Sequence, residues 1–373
     1  MASVHSIDSA AAAAPAPAAE ASGDLEKLER LRSAWEPLVA SAGIPMQDFD
    51  WIHAFVEVFS PHYEVEFVTV GTPPSMAIAP LCRPRRGSGG RYQLIGPKQL
   101  YESMDFLYTD PRAMVELAHT LAGSGKPLFL MRFPTYTGSL DAIREAYRRG
   151  VVRCGPAPSG PWIPLNESWV EPERHLNSGR RSDLRRAMRY AQKNGPVEFE
   201  IISPPASAVN GLLDEAYRVE AQGWKSATAS AMARDPLRGN FYRRYAALAA
   251  AKGKLRICSL RIGRQAAAMQ VAVISGNRFW LLKMGYDEAY SRCSPGMLLT
   301  VATIRYAAGC GLQAYELLGA VEPWTQLWTD KVHECISLRA YPLSANGAAL
   351  LCSDGCRSLY RSAVRALREG RRT

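Results

Sequence analysis

The sequence predicts an α/β protein with mixed, largely antiparallel sheets, in which one unit (a strand meander, a capped helix and a further strand) occurs twice in tandem. Three observations predict it. Residues 254–286 read as three consecutive strands joined by tight turns at Gly263-Arg264 and Gly276-Asn277. A polar loop then leads to Ser294-Pro295 and a helix whose Met297, Val301, Ile304 and Ala308 recur at helical spacing. The same order of elements appears between residues 63 and 133, and a duplicated unit is more economical than coincidence.

In chain order, residues 1–23 form an Ala/Pro-rich lead-in expected to be disordered. Pro15 and Pro17 interrupt its alanine run and it lacks the basic start of a signal peptide. The first domain is expected over 24–165. Tyr63–Val70 reads as a strand, a Thr-Pro-Pro turn follows, Met76–Cys82 is the second strand, Gly87–Gly90 turns, and Arg91–Ile95 is the third. A polar loop reaches Asp110-Pro111, a cap and first-turn proline that open a helix to about Leu121, and Pro127–Phe133 is the strand after it. The second domain is expected over 166–345. It begins with a basic helix closed by Asn194-Gly195, with Arg181, Arg185, Arg189 and Lys193 along one face, and continues through the three strands and the helix to a short strand at 313–318. Residues 346–373 are a basic helix or tail.

The chain has 373 residues and a net charge of +10, which gathers in two places. Residues 174–193 carry seven Lys/Arg against one acid, and residues 357–373 carry six against one. Two local patches differ from the uniform basic coat of a nucleic-acid protein; the first reads as a solvated helix face or as an anion-facing surface, the second, where Leu359, Val364 and Leu367 alternate with arginines, as a docked terminal helix or as a membrane-surface or RNA contact. No stretch is long and apolar enough to span a membrane, so stable membrane insertion is not expected. The eight cysteines are scattered, without CxxC pairs or matching histidines, a pattern that does not point to a metal. Reduced thiols fit a cytoplasmic protein, with a peripheral position at the inner membrane left open by the C-terminal patch.

Residues 283–311 carry the chemistry. Ser294 offers a side-chain oxygen as N-cap, and a helix entered from a polar loop points free N–H groups and a positive dipole end at its guest, most often a phosphate. An ordinary strand-to-helix connection is the alternative reading. The first copy lacks glycine where its helix begins, so if one copy binds a phosphate-bearing cofactor, the second is favoured.

The run GYDEAYSRCSPGMLL (285–299), followed by a strand ending in Leu318-Gly319 and then Val321-Glu322-Pro323, resembles the GNAT acyltransferase superfamily. With MQDFDWIHAF (46–55), the basic block 180–199 and VEAQGWK (219–225), it is similar to the tandem branch related to FemAB transferases, the cellulose-biosynthesis (BioF2-like) acetyltransferases. The resemblance covers about residues 30–345 and implies two tandem GNAT-like domains, with acetyl-CoA or another acyl-CoA as co-substrate and no metal. It places the pantetheine along Met284, Gly285 and Tyr286, and the pyrophosphate among Arg292, Ser294, Gly296 and Met297. The implied activity is N- or O-acyl transfer to an amino sugar, a polysaccharide precursor or an amino-acid-derived small molecule. Two departures stand out: Ser291-x-x-Ser294-x-Gly296 replaces a glycine-richer loop, and Glu322-Pro323-Trp324-Thr325 stands where relatives carry Glu-Pro-Tyr-Lys. Glu322 and Trp324 are expected at the acceptor.

Amide formation needs a base for the amine's proton and donors for the developing oxyanion. Glu316, in a short apolar strand whose burial would raise its pKa, is one candidate base; Asp287, just past a strand end, and Glu220 are the others. Trp224 and Lys225 are assigned to acceptor binding, and Asp105 is placed within reach of a cleft between domains. Against these stand the blander roles of loop solvation, helix capping and ion pairing. Lys283 is expected to be solvated, and the histidines show no nucleophilic triad. Two alternatives stay open: a FemAB-like transferase drawing on aminoacyl-tRNA, motivated by the basic helix, and a non-catalytic pair of GNAT domains serving exopolysaccharide production.

Overall fold

The computed structural model describes residues 18–40, 42–86, 90–223 and 235–369. Three helices come first: α1 (Ala18–Arg30), α2 (Arg32–Ala40) and α3 (Phe49–Phe59). α1 begins inside the segment expected to be disordered, the rest of which lies outside the described residues. The strands β1 (Tyr63–Thr72) and β2 (Ser75–Pro84) then pair antiparallel from Tyr63↔Pro84 to Thr72↔Ser75. β3 (Gln93–Leu94), α4 (Pro97–Leu100) and β4 (Leu107–Tyr108) are short, and β3 and β4 both pair with β2. The third strand expected at 91–95 is therefore reduced to two residues, and the turn before it lies largely outside the described residues. Asp110 caps α5 (Pro111–Gly123) as its spacing predicts, its carboxylate accepting from the N–H groups of Arg112 and Ala113. β5 (Leu128–Pro134), α6 (Ser139–Ala146), β6 (Val151–Pro156) and β7 (Gly160–Pro164) follow.

The second unit opens with α7 (Ser178–Lys193), β8 (Val197–Ile202), α8 (Val209–Ala221) and α9 (Pro236–Ala251). The expected meander is there, as β9 (Leu255–Ile262), β10 (Gln265–Ser275) and β11 (Arg278–Tyr286), all antiparallel. α10 (Pro295–Gly309), β12 (Ala314–Glu316), β13 (Val332–His333), β14 (Cys335–Tyr341) and α11 (Ala345–Glu369) complete the chain.

The two copies share one order over six strands, with β8 of the second and β4 of the first left without a counterpart. In the second, the order across a seven-stranded sheet is β13-β7-β12-β11-β10-β9-β8. In the first, β1-β2-β3 is joined through a Tyr92–Leu128 bridge to β5-β14-β6. Each copy therefore lends the other a strand: β7, from the first, lies between β12 and β13, while β14, from the second, lies between β5 and β6. Sheet membership thus crosses the boundary expected between residues 165 and 166 in both directions.

Two apolar clusters fill the molecule. One lies under α7 and α10 on one face of the large sheet and includes Leu184, Leu260, Phe279, Leu299 and Ile304. The other joins α8 and α9, on the opposite face, to the first copy. There Trp51 of α3 meets Phe241 and Tyr245 of α9 edge-on, each at 4.8 Å between ring centroids. Among the described residues, no helix is long and apolar enough to cross a membrane.

Candidate active site

β11 and β12 run parallel, yet they pair only over Arg278–Trp280 and Ala314–Glu316. Beyond that point they diverge. A β-bulge in the β10–β11 ladder, where Val271 faces Lys283 and Ala272 faces Leu281, bends β11 at the same level. The splay holds a cavity of about 530 Å³, lined by residues 281–286 on one side and 317–320 on the other. Ser294 to Met297 line it as α10 begins, and Leu100, Tyr101 and Glu102 of the first copy also line it.

α10 is fixed by a buried polar network rather than by apolar packing alone. The Gln270 amide donates to the Thr300 hydroxyl (3.1 Å), which donates to the Gly296 carbonyl (2.9 Å), and Thr303 and Tyr315 share a 2.9 Å bond. Ser294 stands at the mouth in a left-handed conformation (φ 44°, ψ 52°), and its hydroxyl makes no capping bond. The side-chain cap expected from the sequence is therefore not formed. What replaces it is an N-terminus whose first residue, Pro295, has no N–H and whose dipole end opens on the cavity. A second cavity of about 300 Å³ shares Ser294 and Met297 with the first and is lined by Arg180, Asp183 and Arg186 of α7 and by Arg292.

The opposite end is charged and buried. Glu102 is 5% exposed, its Oε2 has no hydrogen-bond partner, and burial raises its pKa against the opposing pull of Lys283, Arg132 and the Gly319 amide. Lys283 lies over the ring of Tyr242 at 4.5 Å, and burial lowers its pKa while Glu102 and Glu220 counteract this. Glu220, 5% exposed, is held by close backbone packing: a methyl group at Gly285 would come within 2.8 Å of Glu220 Cα, and one at Gly223 within 2.7 Å of the Tyr286 carbonyl.

Of the residues singled out by sequence, Met284, Gly285, Tyr286, Ser294, Gly296, Met297, Glu220, Glu322 and Trp324 line the main cavity, and Arg292 the adjoining one. Glu322 is turned onto its own loop, where it accepts from the Trp324 indole at 2.7 Å. The remaining candidates are elsewhere. Glu316 is buried as expected, but its carboxylate binds Arg278 (2.9 Å) and His333 (3.0 Å) and does not line the cavity. Asp287 caps a short turn by accepting from Ala289 N–H. Asp105 accepts from Phe106 N–H under the first copy, where burial pushes its carboxyl up to about 6. Trp224 and Lys225 lie outside the described residues. Two cavity groups escaped the sequence reading. Glu102 sits three residues before Asp105 in the same irregular loop, and Lys283, expected in solvent, faces the cavity because the first copy roofs that side of β11.

Residues 178–326 match the family model of the acetyltransferase (GNAT) domain. No curated protein matches the sequence. Among solved structures, FemX superposes with a TM-score of 0.58 at 10% identity, over 84% of this chain and 96% of that one. The C-terminal domain of an Agrobacterium fabrum protein described as a lysylphosphatidylglycerol synthetase gives 0.53 at 13% identity, over 90% and 96% of the two chains. A protein of unknown function from Bacteroides thetaiotaomicron gives 0.50 at 9%, over 84% and 96%. At such identities these likenesses concern the fold. The splayed strand pair, the bulge and the open helix end fall inside the matched segment: the chain carries an acetyltransferase (GNAT) domain and is an acyltransferase.

Proposed function

We propose that the chain is an acyl-CoA-dependent N-acyltransferase whose acceptor is a small amine, such as an amino sugar, a polysaccharide precursor or an amino-acid-derived molecule. The observation that carries this reading is the adjacency of two cavities that share Ser294 and Met297 in their walls, one lined by Glu102 and the other by arginines of α7. Read together as one trough, their chemistry changes as that of an acyl-CoA does. The reactive end is buried and carries a carboxylate base, the middle runs along an open strand edge, and the far end is cationic.

The thioester supplies the activated acyl group. The residues do the rest. The open end of α10 and Arg292 receive the pyrophosphate, with Arg180 and Arg186 beyond them for the nucleotide phosphate. The edge of β11 at Met284–Tyr286 pairs with the pantetheine amides. Glu102 takes the proton of the attacking amine as the C–N bond forms and the C–S bond breaks, and the Lys283 ammonium supports the charge growing on the carbonyl oxygen. An amine suits this end, where the carboxylates of Glu102 and Glu220 both line the cavity.

Isothermal titration of the full chain with CoA and acetyl-CoA tests the reading. Binding that weakens about tenfold in Arg292→Ala is expected, the worth of one charge-assisted contact. An absence of heat with either ligand would overturn it. The exposed arginines of α7 favour a second reading, in which the acyl donor is an aminoacyl-tRNA. A gel shift with charged tRNA that shows no salt-sensitive complex removes that alternative.

A further inference from the structure

One side chain ties the two copies together at the reactive end of the cavity. Arg132 lies within β5, is 5% exposed, and has φ 49°, in the left-handed region that a residue with a side chain enters only at a cost. Its guanidinium donates through one nitrogen to the carbonyl of Tyr101 and through another to the carbonyl of Gly319, at 2.5 Å for the latter. Both acceptors belong to residues that line the cavity, one from each copy. Backbone strain gathers along the wall of the same cavity. Tyr101 (φ 64°) and Leu318 (φ 56°) beside Arg132, and Ser294 (φ 44°) at the other end, are left-handed non-glycine residues in that wall, and apart from Arg132 itself only Asn277, in the turn between β10 and β11, shares that conformation among the described residues. Such conformations persist where the surroundings over-determine them, and they cluster at functional sites. A planar guanidinium with several donors can bridge two carbonyls at once, which an ammonium on a flexible stem does poorly. Glu102 follows Tyr101 directly, so whatever fixes the Tyr101 carbonyl also fixes the start of the Glu102 side chain.

We propose that Arg132 is a positioning residue of the acyl-transfer step, whose guanidinium sets Glu102 over the open end of the β11–β12 splay by holding the carbonyls of Tyr101 and Gly319. The inference rests on the reading of Glu102 as the general base. Arg132 also contributes a charge. The groups that act on Glu102 are Lys283 from β11, Arg132 from β5 and the Gly319 amide, with Tyr242 of α9 beside it; Glu220 from α8 and Arg238 and Asp235 at or beside α9 act in turn on Lys283. The cations among them favour the ionised carboxylate, so loss of the Arg132 charge leaves Glu102 protonated to a higher pH.

The test compares Arg132→Lys, Arg132→Met and Glu102→Gln in the full chain, following CoA release from acetyl-CoA with hydroxylamine and glucosamine as acceptor probes. CoA affinity by titration is expected to stay within about twofold in all three, since the phosphate end of the trough is remote. Both Arg132 variants should lose about tenfold or more in kcat at unchanged KM for acetyl-CoA, as misplacement of a reacting group does. In Arg132→Met the acid limb of the kcat/KM profile should move to higher pH; in Arg132→Lys, which keeps the charge, it should stay in place while kcat remains low. A purely structural role would lower thermal stability and leave that limb unmoved. Should Arg132→Met fail to fold, Arg132→Lys with native kcat overturns the proposal by itself. Native kcat and an unmoved limb in the Arg132 variants, with Glu102→Gln inactive, refute the positioning role alone. An active Glu102→Gln variant refutes the base assignment and the proposal with it.

Discussion

Glu102 and Glu316 are both removed from water, yet their surroundings give them opposite tasks. Glu316, 1% exposed, meets Arg278 and His333, so its charge is satisfied within the protein and it serves to join β12, β11 and β13. Glu102 keeps an oxygen without a partner and a pKa above the usual carboxylate range, a combination suited to accepting a proton. Glu102→Gln is expected to reduce kcat by about 10²–10⁴ while CoA binding persists, measured by thiol release and by titration. The sign of the pH effect follows from the direction of the shift. The ionised form is the active one, so kcat/KM of the native chain should fall as pH drops through a midpoint higher than that of an ordinary glutamate. Burial of Glu316 was legible from its apolar strand. Its partners were not, because Arg278 is 38 residues away and His333 is 17. Asp105 drew attention where Glu102 holds the place, since an irregular loop has no period from which to tell inward residues from outward ones.

At the scale of elements, the sequence was informative wherever a turn or cap has local chemistry. The Gly263 and Gly276 turns, the Asp110-Pro111 start and the Asn194 end all lie where glycine, proline and asparagine place them. Ser294 is the exception: its backbone takes the conformation that glycine usually supplies, and the hydroxyl is left without a capping role. The seating of α8 on β11 depends on two glycines that no periodicity marks. Gly285→Ala, whose methyl would meet Glu220 Cα at 2.8 Å, should displace the end of α8, lowering both the melting temperature and CoA release. Gly211 offers the contrast. It lies within α8 with nothing within 4 Å of an added methyl, so Gly211→Ala should stabilise by about 0.5–1 kcal/mol in chemical denaturation. Equal effects from the two substitutions would contradict the tight α8–β11 contact.

Across the whole molecule, the duplication was legible because each copy repeats its order of turns, caps and strands. The strand exchange was not. β7 and β14 are ordinary short strands in sequence, and their partners are fixed by packing at a separation of more than a hundred residues. The exchange makes each copy incomplete without the other, and the apolar cluster that runs from α3 through α9 removes any clean seam between them. Urea unfolding of the full chain should therefore give one cooperative transition, with fluorescence and circular dichroism coincident. Two separated transitions would show that the copies hold independently.

The lent strand also sets a timetable for synthesis. β5 and β6 each pair with β14 and not with one another, so when a ribosome has delivered the first copy, its small sheet has flanks and no centre. The nascent chain must carry those two unsatisfied strand edges until residue 341 emerges, well after Glu102 and Arg132 have left the tunnel. Assembly of the reactive end is thereby deferred until β14 has emerged, and a chain truncated before β14 would be born with sticky edges in place of an active site.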